Sequence, residues 1–124
     1  MTKKELKFKI HQAKVKKTCR RIRKALREYK DNNFKEASKR DKYLQKKYNI
    51  SENTYLSMLK SQGYKCAICP KTQFELSYSL HVDHNHNSGK NRGLLCYRCN
   101  KFLVGRNTLE TARDLYFYML RYEG

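Results

Sequence analysis

Acidic residues are scarce in this chain. Its 124 residues carry 11 Asp and Glu against 29 Lys and Arg, a formal net charge of +18. A balance that one-sided points to a polyanionic partner, and nucleic acid is the first choice. Long apolar runs are missing, and no signal-peptide or lipidation pattern occurs, which argues against a membrane role. No repeat or low-complexity segment is present, so the chain reads as one domain plus an extension. Nucleic acid is therefore the expected partner, with no membrane and no small-molecule substrate.

The charge is unevenly placed. Residues 1–65 hold 21 Lys and Arg against 6 acids, whereas residues 66–124 hold 8 against 5. Residues 3–30 read as a long basic helix with one apolar stripe at Ile22, Leu26 and Tyr29 and a weaker one at Leu6, Ile10 and Ala13. At this density Lys and Arg are expected to contact phosphates without reading bases, and Arg20, Arg21, Arg23, Lys24 and Arg27 are the candidates on this helix. Asp31-Asn32-Asn33 is a turn signal. A second helix is expected over 34–48, with Phe34, Ala37, Leu44 and Tyr48 apolar and Asn49 as its stop. The third is better marked: Ser51 can cap it, Ile50 and Tyr55 are spaced as a hydrophobic staple, and Gly63 ends it.

Five cysteines suggest a disulfide scaffold at first. Four of them, however, form two Cys-x-x-Cys pairs, Cys66/Cys69 and Cys96/Cys99, and nothing marks the chain as secreted, so metal is the better reading. Zinc takes four tetrahedral ligands, and each pair offers two sulfurs from one tight loop. The alternative is two disulfides or free thiols. The segment between residues 66 and 103 has too few apolar residues to fold without a staple, which favours one structural zinc with no position open for water. Cys19 is left over as a small buried or idle residue. The only proline, Pro70, closes the first knuckle.

Between the knuckles Leu80 and Val82 alternate with polar neighbours as in a half-buried strand, Asn87-Ser88-Gly89 is a turn, and Arg92–Leu95 returns as a second strand. A short helix is expected to begin near Asn100. A final helix repeats Leu109, Ala112, Leu115, Tyr116, Met119 and Leu120 at three and four residues, with Asn107 and Glu110 as a capping pair. That stripe is read as packing against the hairpin.

Asp83, His81, His84, His86 and Asn100 remain. A hard divalent cation such as magnesium or manganese takes oxygen ligands, which Asp83 and Asn100 supply. A neutral imidazole beside it can take a proton from attacking water, so His84 is the candidate general base. Pinning Cys99 to zinc would fix Asn100 next to it. In a regular strand Asp83 and His84 would point to opposite faces, so the strand must bend or end there.

The runs Tyr48 to Cys69, His81-Val-Asp-His-Asn-His86 and Gly89 to Asn100 together resemble the recombination endonuclease VII family of HNH, or ββα-metal, nucleases, common in phages and prophages. The resemblance covers roughly residues 43–106. It implies an α+β, mostly helical fold with a small ββα-metal module on a four-Cys zinc site, flanked by basic N-terminal helices and a C-terminal amphipathic helix. It further implies magnesium- or manganese-dependent hydrolysis of DNA phosphodiesters. Position by position, Asp83 and Asn100 match the family's metal ligands, His84 its general base, and His86 a histidine near the phosphate or leaving group, with His81 upstream. Arg92, Arg98 and Lys101 are expected to contact DNA beside it. Asn85 stands where the family often has Asp, and Leu103 where the junction-resolving member has an acid. Nicking or cutting of duplex DNA is therefore the expected reaction. The alternatives are Holliday-junction resolution and a non-catalytic zinc-containing DNA-binding protein. The expected layout is a basic DNA-binding extension over 1–50 and a nuclease domain over 51–124, in the cytoplasm of a bacterial or phage-infected cell, with a homodimer compatible with it.

Overall fold

Residues 3–30 hold neither proline nor glycine, and Lys and Arg are good helix formers. In the computed structural model, which describes residues 1–30 and 38–123 and leaves aside the side chains of Tyr29 and Lys30, this stretch is one unbroken helix, α1 (Lys3–Lys30). Thr2 and Glu5 cap it reciprocally, each side chain accepting the other's backbone N–H at 3.1 and 2.7 Å. The expected turn at 31–33, together with Tyr29, Phe34 and Ala37, lies outside what is described.

Helix α2 (Lys39–Tyr48) begins at an N-cap, Ser38, whose hydroxyl accepts from the Asp41 N–H. It ends as expected at Asn49, which takes the left-handed conformation at φ 57°. Helix α3 (Glu52–Ser61) is capped by Ser51, and Gly63 follows it at φ 68°. A 3₁₀ turn at Gln73–Glu75 leads into an antiparallel hairpin of β1 (His81–His84) and β2 (Asn91–Leu95). A helical stretch then starts at Tyr97, three residues ahead of the expected Asn100. It includes a π-type turn at Cys99–Leu103 and closes in a 3₁₀ turn at Val104–Arg106.

The core forms where α1, α2 and α3 meet the hairpin. Ile22, Leu44, Tyr55, Leu56, Leu59, Leu80 and Leu94 are buried there together with three of the paired cysteines. Two buried amides organise it. Gln73 is fully enclosed, donating to the Tyr78 carbonyl at 2.6 Å and accepting the Leu80 N–H at 2.8 Å. Gln62 accepts the Leu94 N–H and donates to the Leu94 carbonyl, both at 2.9 Å, so its side chain satisfies the outer edge of β2 as a strand would.

Helix α1 divides at Thr18. From there on it is anchored: Thr18 donates to the Ser77 carbonyl at 3.0 Å, Cys19 is buried with its thiol on the Phe74 carbonyl, and Ile22 is enclosed. Before it, the weaker stripe finds no cover among the described residues, with Leu6 and Ile10 about half exposed.

Helix α4 (Leu109–Arg121) corrects two expectations. Its cap is Thr108 paired with Thr111, not Asn107 with Glu110; the Asn107 amide donates to the Leu103 carbonyl instead. Nor does its apolar stripe pack on the hairpin. None of its residues is buried, and Leu109 stands 90% exposed. Periodicity identified the apolar face correctly, but nothing among the described residues covers it.

The division of α1 makes a stability prediction. Ile22→Ala should lower the unfolding free energy by about 2–5 kcal/mol, whereas Ile10→Ala should leave it unchanged within a few tenths. Urea denaturation of both variants checks this, and equal costs would show that the two halves of α1 are anchored alike.

Candidate metal centre and hairpin site

The four sulfurs of Cys66, Cys69, Cys96 and Cys99 all lie within 4.8 Å of one another, and those of Cys69 and Cys96 are 3.6 Å apart. A tetrahedron with metal–sulfur bonds of about 2.3 Å has sulfur–sulfur edges of about 3.8 Å, whereas a disulfide would need about 2 Å. All four cysteines are free thiols. Donor type, number and spacing therefore suit one zinc ion and exclude the disulfide alternative. Burial opposes ionisation of Cys66, but backbone N–H groups of Cys69, Cys96 and Ile68 directed at its sulfur outweigh that and bring its pKa down to about 7. Cys99 shifts the other way, pushed up first by burial and then by the neighbouring sulfurs.

The two knuckles are tied to each other by backbone as well. The Ala67 N–H donates to the Leu94 carbonyl at 3.0 Å and the Cys96 N–H to the Cys66 sulfur at 3.4 Å. Thus β2 runs directly out of the cluster, and β1 is laid against β2.

The hairpin is irregular at Asp83. His81 pairs with Leu95 and Val82 with Leu94, but His84 pairs with Asn91, so Asp83 alone faces both Arg92 and Gly93. The extra residue of this bulge is on β2, and on β1 the adjacent Val82 and Asp83 are both buried. Arg92 holds the carboxylate from across the hairpin in a forked pair, Nε to Oδ2 at 2.7 Å and Nη2 to Oδ1 at 3.1 Å. Of the sequence candidates, then, Arg92 is engaged by Asp83, while Arg98 and Lys101 are exposed, Lys101 resting on Tyr97.

His84 and His86 come together at the end of the hairpin with ring centroids 4.5 Å apart. His81 lies between Tyr78 and Tyr97, where burial, then the charges of Lys47 and Arg40, lower its pKa. Asn85 builds the connection, its side chain accepting from the Asn87 and Ser88 N–H groups at 2.9 and 3.2 Å, with Gly89 at φ 74° closing the turn. Asn100 follows the buried Cys99, and no other side chain among the described residues bonds its amide.

On α1, Arg20, Arg23, Lys24 and Arg27 line one open depression beside Leu26. Arg21 turns away from them to bond the Ser79 hydroxyl. Sequence reasoning missed the neighbours of the histidines on α2. Tyr48 packs on His84 at 6.5 Å, and its carbonyl accepts from Asn91 at 2.9 Å. These contacts join positions more than thirty residues apart, and no local pattern signals them.

Comparison with known proteins agrees with this architecture. The family model for recombination endonuclease VII matches residues 41–121. The chain belongs to that family. It is also similar to the Gene 59 proteins of two mycobacterial phages. The one from Mycobacterium phage D29 is 40% identical over 74 residues, covering 58% of this chain and 44% of the relative. The one from Mycobacterium phage L5 is 36% identical over 75 residues, covering 59% and 45%. The chain thus spans less than half the length of these curated relatives. No solved structure matches it significantly.

Purified chain should carry one zinc per molecule, and Cys96→Ser should lose both the metal and the ordered tyrosine environment of the hairpin. Metal analysis and near-ultraviolet circular dichroism read the two. Folded protein free of zinc would rule the centre out.

Proposed function

We propose that this chain is a metal-dependent DNA endonuclease of the HNH type that hydrolyses phosphodiester bonds, nicking or cutting duplex DNA. The observation that carries the reading is the bulge between Val82 and His84, which puts a buried carboxylate and two adjacent imidazoles at one end of a hairpin rooted in the cysteine cluster, in a chain of an endonuclease family.

The donor set suits a hard cation. A carboxylate has about four lone-pair sites, and Arg92 occupies one on each oxygen, so Asp83 keeps two for a metal. Asn100 adds an amide oxygen. Magnesium or manganese held there would supply positive charge to the scissile phosphate and the departing oxygen. His84 takes a proton from water as the water oxygen bonds to phosphorus and the bond to the leaving oxygen breaks. His86, beside it, faces the phosphate or leaving group. Arg92, one of the two β2 residues opposite Asp83, keeps its carboxylate oriented. Arg20, Arg23, Lys24 and Arg27 bind backbone phosphates, as do the seven lysines of residues 3–17.

The family's description also favours junction resolution as a second reading. Incubating the chain with supercoiled plasmid and with a four-way junction tests both. Plasmid should be relaxed or linearised with magnesium or manganese and left intact in EDTA, and resolution should be seen only on the junction if the second reading holds. His84→Ala should slow cleavage by about 100- to 10,000-fold with zinc content and DNA binding retained. Absence of cleavage under every metal condition, or a His84→Ala chain as fast as the parent, contradicts the proposal.

A further inference from the structure

Beside the histidines, between α2 and β1, lies a cleft of about 160 Å³ whose polar wall is Arg40, Tyr43, Tyr48, Ser79 and His81. That is room for about five waters, suited to a small hydrated anion. No acidic residue lines it. The Arg40 guanidinium lies 4.9 Å over the Tyr55 ring, and no carboxylate among the described residues pairs with it. Arg21, fixed on the Ser79 hydroxyl, faces Arg40 closely enough to feel its charge. The one acid that acts on Arg21 in the opposite sense, Glu52, is bonded to Ser38 at 2.8 Å. From outside, Lys47 donates to the Tyr43 hydroxyl at 3.1 Å and sits 5.5 and 5.4 Å from the rings of Tyr43 and Tyr48. Three cations gathered around a cleft without a carboxylate repel one another unless an anion joins them.

The cleft is coupled rigidly to the hairpin site. Tyr48 forms its wall and also packs on His84, while Asn91 bonds the Tyr48 carbonyl and pairs with His84 across the hairpin. Phosphates recur about every 3.4 Å along the axis of one DNA strand, so a strand engaged at His84 carries others past the cleft. We propose that the cleft between α2 and β1 binds a backbone phosphate flanking the scissile one, held by Arg40 and Lys47 with the Tyr43 and Tyr48 hydroxyls. Tyr43 accepts from Lys47 and so keeps its own proton to donate to the phosphate. The assignment rests on the nuclease reading for the identity of the strand.

The test is equilibrium binding of the full chain to a short duplex in EDTA, over a range of salt, so that no cleavage is needed. Lys47→Gln should flatten the log–log salt dependence by about 0.9, and Lys47→Gln with Arg40→Gln by about 1.8, for all sequences alike. Lys60→Gln, an equal loss of charge on α3, should leave the slope unchanged. Arg40→Gln also removes the stacking on Tyr55; should the double variant lose its zinc or its circular dichroism, Lys47→Gln, at an exposed position, decides alone. Folded variants with the parental slope, or a Lys60→Gln effect as large as that of Lys47→Gln, would overturn the proposal. A parent chain that binds duplex but never cuts it with magnesium or manganese defeats the nuclease reading only, and the slopes still decide the cleft. A parent that binds no duplex defeats both.

Discussion

Four sulfurs within 4.8 Å of one another are what the rest of this structure depends on. They close a loop from Cys66 to Cys99 whose interior offers few buried apolar residues, among them Leu76, Leu80, Val82, Leu94 and Leu95. Zinc ligation by such a set contributes about 10–16 kcal/mol in small zinc peptides at neutral pH, as much as the whole net stability of an ordinary domain. The candidate site residues hang from this point. β2 leads directly into the second knuckle, β1 lies on β2, and Asn100 directly follows Cys99 of the cluster.

The staple alone does not set the shape of the hairpin; polar side chains complete it. Gln62 satisfies the edge of β2 as a neighbouring strand would, and Gln73 fixes the entry to β1. Between them Asp83 lies buried opposite the extra residue of β2, and Arg92 pairs with it and orients it. A buried carboxylate without such a partner would be costly. The Arg92–Asp83 fork therefore explains how an acid can sit beside Val82 in a two-stranded sheet.

The four-cysteine cluster, the stop of α2, the N-cap of α3 and the hairpin were legible in the sequence because each rests on a local spacing rule: two Cys-x-x-Cys pairs, Asn49 after an apolar pattern, Ser51 before one, Asn87-Ser88-Gly89 between strands. The need for a bend at Asp83 was legible too, but not its form, since a one-residue offset depends on which residues of β2 lie opposite. The partners of the histidines were not legible, because Tyr48, Tyr78 and Tyr97 reach them through folding rather than spacing. Two amphipathic stripes had opposite fates. Ile22 is enclosed and the stripe of α4 is bare. Periodicity says which face is apolar and nothing about what meets it. Charge density likewise describes the more exposed half of α1 before Thr18 but not the anchored half behind it, where Arg21 is bound to Ser79.

If the cysteine cluster holds the hairpin site together, the backbone bonds beside it should depend on zinc. Native-state hydrogen exchange of the Cys66, Ala67 and Cys96 amides, which bond Lys71, Leu94 and the Cys66 sulfur, reads this most directly. Removing zinc with a chelator should strip these amides of their protection, and restoring one equivalent should return it. Protection that is the same with and without zinc would contradict the account.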